Sequence, residues 1–201
     1  MPEGAETWMP LLFALGLVNV IYGAFSAMGQ TDLKYVIGYS SVSHMGYVLM
    51  GIATLNVLGM SGAVLQMFSH GVMTALFFAV VGMIYERTHT RDTLILNGLA
   101  KKMTIIAIFF AMAGLTSLGL PGLSGFPAEL LIFIGVFKSY EIWGVIGGSL
   151  AIVGVGITAV YILRLLSRVF MGPLPERWDD QTDADLREKL VASLLSIAIL
   201  V

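Results

Sequence analysis

Apolar residues in this chain fall in long runs separated by short polar segments. A run of about 18 or more residues with few charges is long enough to cross a bilayer as a helix. The first runs from about Trp8 to Gln30 and the second from about Leu33 to Thr54, with Asp32 placed to cap it. The third, about Leu58 to Tyr85, is longer than a bilayer requires and is expected to tilt. A polar loop, ERTHTRD through NGLAKK, follows. The fourth apolar region, about Met103 to Ser139, is roughly 37 residues, nearly twice the ~20 of a single span. The run from Pro121 to Pro127, rich in Pro and Gly, interrupts it. One broken helix is the expected reading, because the two arms of a hairpin would each be short. The fifth span covers about Ile142 to Met171, and the hydrophilic loop PLPERWDDQTDADLREK comes next. A further apolar helix starts near Leu190 and reaches Val201, too short to cross. The expected fold is all-α: a polytopic transmembrane helix bundle of five full spans plus a truncated sixth. It forms a single membrane domain over residues 1–201, read as a C-terminal fragment of a longer protein.

Lysine and arginine placement orients the bundle. With one crossing at the broken helix, Lys34, Arg87, Arg91, Lys101, Lys102, Arg164, Arg168, Arg177, Arg187 and Lys189 share one side, and only Lys138 of the eleven basic residues lies on the other. The rich side is therefore expected to be cytoplasmic. Composition agrees with a lipid-embedded chain. Apolar residues make up 57% and charged residues 12%, against about a quarter in ordinary soluble domains; the mean hydropathy is +0.88. A net charge of -2 offers no basic face for nucleic acid. The chain has no cysteine, which excludes disulfides, thiolate metal sites and iron–sulfur ligation. Phosphate-loop, dinucleotide and nucleophile-elbow motifs are missing, so no catalytic residue is expected in this chain.

An ionisable group at membrane depth costs about 2.5–3.5 kcal/mol on insertion scales and usually serves a function. Of thirteen acidic residues, all but Glu129 fall in loops or at helix ends. Glu129 lies just past the helix break, where freed backbone groups are tolerated only if packed in protein or lining a wet cavity. His44 and His70 sit mid-span. Ser40, His44 and Tyr47 share one helix face, as do Gln66, His70 and Thr74. Such stripes should face the bundle interior. Each histidine is open to two readings, interhelical glue or a relay that changes charge near neutral pH. Lys34 at a helix start is most simply a snorkelling anchor. Two histidines and a carboxylate on three helices lack the short spacing of a metal site, and none is expected.

Three stretches resemble the proton-pumping, antiporter-like subunits of respiratory complex I. TDLKYVIGYSSVSHMGYVLMGI (Thr31 to Ile52) is similar to that family's DLK/DIK and YSSVSHMG signature. QMFSHGVMTALFFAVVGMIYERTHTRD (Gln66 to Asp92) and SLGLPGLSGFPAELLIF (Ser117 to Phe133) look like its following helix and its broken helix. Within the family, the SHMG string, the HTRD loop and the broken-helix Glu resemble the branch called subunit M, or chain 4, of NADH-quinone oxidoreductase. The resemblance implies two inverted five-helix repeats, of which about 8–171 matches the second and about 190–201 the start of the last helix. It implies a membrane subunit that couples NADH oxidation and quinone reduction to proton transfer along a buried axis. By motif position Glu129 matches the proton-exchanging acid, His44 and His70 the axis histidines, and Lys34 the Lys of the DLK motif. It further implies that NADH, FMN, iron–sulfur clusters and quinone sit on other subunits, with no cofactor in this chain. Partners would be the other membrane subunits and the lipid of the cell's inner (cytoplasmic) membrane. Mrp-type cation/proton antiporters and membrane-bound hydrogenases share the pattern and stay open as alternatives.

Overall fold

The apolar runs fold as helices, and the computed structural model, which describes residues 2–200, contains seven. They are α1 (Pro2–Gly29), α2 (Leu33–Ala53), α3 (Val57–Thr88), α4 (Thr104–Ser117), α5 (Gly125–Phe137), α6 (Glu141–Phe170) and α7 (Leu186–Ile199). Helix accounts for 79%, and the described residues form no strand. Asp32 caps α2 as expected, its carboxylate accepting from the Lys34 N–H at 2.8 Å. Asn56 caps α3 in the same way through the Gly59 N–H.

Four helices are long and apolar enough to cross a membrane: Gly4–Gly29, Leu33–Ala53, Val57–Thr88 and Glu141–Phe170. The expected fourth region is divided into α4, of 14 residues, and α5, of 13. At about 1.5 Å per residue each is near 20 Å, short of a ~30 Å hydrocarbon core. The last helix begins at Leu186, four residues before the expected start near Leu190. A capping box explains the difference: Asp185 accepts from the Glu188 N–H, and the Glu188 carboxylate accepts from the Asp185 N–H. Val201, the last residue of that expected segment, lies outside the described residues.

The bundle has two distinct ends. At the basic end, Leu33 N–H donates to Arg91 O and Gly98 N–H to Met171 O. The loop after α6 also folds back there. Its Asp183 carboxylate caps α4, accepting from the Ile105 and Ile106 N–H groups at 2.8 and 3.2 Å. Arg87 holds Glu188 through two hydrogen bonds of 3.0 and 2.6 Å. This guanidinium keeps the Glu188 carboxyl below the usual carboxylate range. At the opposite end, Asn56 donates to Gly135 O and Ser139 Oγ, and the Tyr140 hydroxyl donates to Ala53 O. So α4 starts at the basic end, α5 finishes at the other, and the two make little contact with one another.

Close helix approach sets the middle of the bundle. A Cβ at Gly62 of α3 would stand 2.7 Å from Ile132 N of α5, so that crossing needs glycine. Two apolar clusters result. One gathers Leu33, Val36, Ile37, Leu76, Val80 and Phe110, and the other Phe13, Tyr47, Met50, Ile132 and Val136. Along α2, the buried Ser40, Ser43 and His44 fall between Ile37 of the first cluster and Tyr47 of the second.

Candidate functional site: a buried His–Glu pair at the helix break

The break spans residues 118–124, and its backbone groups find partners close by. Gly119 N–H donates to Thr116 O, closing the last turn of α4, and Ser124 N–H donates to Ile199 O of α7 at 2.9 Å. Gly119 is left-handed, with φ of 62°. A side chain there would meet the next functional group, since a Cβ at Gly119 would lie 2.6 Å from Glu129 Oε2. The missing Cβ is therefore what lets the Glu129 carboxylate fold back over the break.

Glu129 is 6% exposed, and its Oε1 lies 3.6 Å from Nδ1 of His44, itself 1% exposed. That separation is an ion-pair distance, just outside a hydrogen bond. The other ring nitrogen, Nε2, is 2.9 Å from Ser117 Oγ at the end of α4. Gln66 Nε2 stands 3.3 Å from His44 Nδ1, while Gln66 Oε1 is buried with no partner among the described residues. In this arrangement Nδ1 accepts and Nε2–H donates to Ser117. Turning the Gln66 amide would present Oε1 as the acceptor for an Nδ1–H, so the amide can follow either tautomer. Ser69 and Ser124 share a 2.7 Å hydrogen bond that pins the break to α3.

The sequence stripes separate into different parts. Ser40, His44 and Tyr47 are all buried, with Tyr161 OH donating to Ser40 Oγ at 2.7 Å and Tyr47 OH to Ala151 O at 3.1 Å. On α3, Gln66 reaches the pair. The His70 ring centroid is 5.3 Å from that of His44, and its buried Nδ1 has no partner among the described residues. Thr74 turns away, its hydroxyl bonding to His70 O of its own helix. Lys34 is not brought to the pair. It is exposed at the basic end, ten residues before His44 or about 15 Å along the helix. Ser117 and Tyr161 were not among the expected site residues. Each is a hydroxyl in a mostly apolar segment, with Thr116 beside Ser117 and Thr158 one turn before Tyr161, and the sequence holds no signal that singles them out. Among the described residues no three His, Asp or Glu side chains converge as a metal site.

A buried carboxylate beside an imidazole, joined to hydroxyls and flanked by a helix break, can take up and release protons without any other chemistry. The pattern of the NADH:quinone oxidoreductase/Mrp antiporter transmembrane family matches residues 1–154. The chain belongs to this family. It is 44% identical to NAD(P)H-quinone oxidoreductase chain 4 1 of Synechococcus elongatus, over 100% of this chain and 38% of that protein. It is 43% identical to NAD(P)H-quinone oxidoreductase chain 4 of Gloeobacter violaceus, over 96% of this chain and 38% of that one. The chain thus spans less than two-fifths of the length of these curated relatives. Among solved structures it superposes with TM-score 0.91 on a chain of the respiratory complex I from Thermus thermophilus with bound NADH, at 32% identity, covering 99% of this chain and 41% of that one. A chain of the Mrp complex from Dietzia sp. matches with TM-score 0.87 at 20% identity, covering 98% of this chain and 44% of that one, a likeness of fold.

Proposed function

We propose that this chain is part of a proton-translocating membrane subunit of NADH-quinone oxidoreductase, itself non-catalytic. It would couple NADH oxidation and quinone reduction on other subunits to proton transfer through Glu129, His44 and His70. The observation that carries this reading is the buried His44–Glu129 pair at a helix break, in a chain resembling chain 4 along its whole length. Glu129 alternates between loaded and empty, His44 relays through its two ring nitrogens, and His70 continues the axis. Redox chemistry elsewhere shifts charge along that axis, and the resulting change in proton affinity moves the proton. Assignment of Lys34 to the pathway rests on the motif match alone; by position it stands at the mouth of the bundle.

In this reading the basic end is cytoplasmic, the bundle lies in the inner (cytoplasmic) membrane, and α4–α5 makes one crossing. That gives five crossings and a sixth begun by α7. The segment about 8–171 corresponds to the second inverted repeat. NADH, FMN, iron–sulfur clusters and quinone belong to partner subunits. The Mrp-type alternative is favoured less, because likeness there is at 20% identity against 44% for chain 4.

The test is proton pumping per quinone reduced in the assembled complex carrying Glu129→Gln. The amide keeps the shape but cannot carry a proton. This subunit's share of pumping should disappear; full pumping at normal turnover would refute the assignment.

A further inference from the structure

The His44–Glu129 pair needs a route to the aqueous phase, and the basic end offers a place for one to start. A narrow cleft of about 20 Å³, room for a water or two, lies between α1, α2 and α6. Gln30, Thr93, Arg164 and Arg168 supply its polar lining. Arg164 and Arg168 are exposed there, as befits a rim in contact with water. Its inner wall is Tyr161, 3% exposed. The Tyr161 hydroxyl donates to Ser40 Oγ at 2.7 Å, and the Ser117 hydroxyl also lies beside it. Ser117 Oγ in turn is 2.9 Å from His44 Nε2. Tyr161 of α6 thus borders the cleft on one side and, on the other, bonds to Ser40 with the hydroxyl next to the histidine nearby. Lys34 does not line this cleft.

We propose that protons reach the His44–Glu129 pair from the basic end through this cleft, with the Tyr161 hydroxyl as the gate. While Tyr161 donates to Ser40 the chain of hydroxyls is interrupted; when its O–H turns to Ser117 the chain is complete. A proton from water in the cleft then binds the phenol oxygen as the phenol's own proton passes to Ser117 Oγ. The next step uses the other His44 tautomer, with the Gln66 amide turned so that Oε1 accepts an Nδ1–H. The Ser117 proton passes to the free Nε2 as the Nδ1 proton crosses the 3.6 Å gap, closed by a small side-chain shift, to the ionised Glu129 Oε1. One proton enters, one arrives on the carboxylate, and nothing is oxidised or reduced. The hydroxyls rotate back and the His44 imidazole returns to its Nδ1–H tautomer to reset the path.

This inference rests on the proton-translocating reading above, so the experiment measures both. Pumping per quinone reduced is compared in assembled complexes carrying Tyr161→Phe, Glu129→Gln or neither. Phenylalanine keeps the packed ring and removes only the hydroxyl. Loss of the same share of pumping in both variants is the expected result. Wild-type pumping in Tyr161→Phe with loss in Glu129→Gln overturns the route alone. Unchanged pumping in Glu129→Gln overturns the functional reading itself. Should Tyr161→Phe fail to assemble, Gln30→Cys in the cleft lining decides the matter. A negatively charged thiol reagent added to the folded complex should remove that share of pumping, and a reductant should restore it, with wild type treated alike as control. Full pumping by the modified complex overturns the route.

Discussion

At the scale of single residues, the site depends on what sits beside Glu129 as much as on the carboxylate itself. Gly119 is left-handed, and its missing Cβ leaves room for Glu129 Oε2. Gly119→Ala should therefore cost about 1–2 kcal/mol for the left-handed backbone and also displace the carboxylate from His44. The expected outcome is a complex with a lowered unfolding temperature and reduced pumping; an unchanged pumping ratio would show that Glu129 tolerates displacement. Glu129, His44 and His70 were legible in the sequence because ionisable groups are rare at membrane depth. Ser117 and Tyr161 were not, because a Ser or Tyr in an apolar helix is ordinary, and only the packing of α2, α4 and α6 brings these hydroxyls to one place. Lys34 shares a motif with His44, yet the regular rise of α2 holds the two far apart.

At the scale of elements, the broken segment decides the topology. α4 is capped by Asp183 at the basic end, and α5 ends beside Asn56 at the other, so the pair should cross the membrane once. Reporter fusions check this. Alkaline phosphatase, active only outside the cytoplasm, should be active when fused after Lys138 and inactive when fused in the 171–185 loop. Activity at both positions, or at neither, would place both ends of α6 on one side and contradict the crossing pattern. The Pro/Gly run exposed the break in the sequence, and Asp32 exposed the start of α2. The early start of α7 was hidden, because its polar first turn of Leu186 to Lys189 read as loop until the Asp185–Glu188 capping box closed. The docking of the 171–185 loop was hidden too. Arg87 and Glu188 meet across a long sequence separation that no local pattern records.

At the scale of the whole molecule, apolar side chains cover both the inside and the outside of the bundle. Trp8, Leu11, Leu15, Val18, Tyr22 and Phe25 stand exposed along α1, suited to lipid or to neighbouring protein. Against that background Ser117, His44 and Glu129 stand in a row at mid-depth, with Tyr161 bonded to Ser40 alongside them. Low dielectric on either side makes the position of each proton matter to its neighbours. The central claim is that Glu129 changes protonation during turnover. The most direct measurement is an infrared difference spectrum of the assembled complex, at rest and in turnover, compared with that of Glu129→Gln. The expected result is a protonated-carboxyl stretch that changes during turnover in wild type and is missing from the variant. Identical difference spectra from the two would mean that Glu129 keeps one protonation state throughout, and would contradict its role as proton carrier.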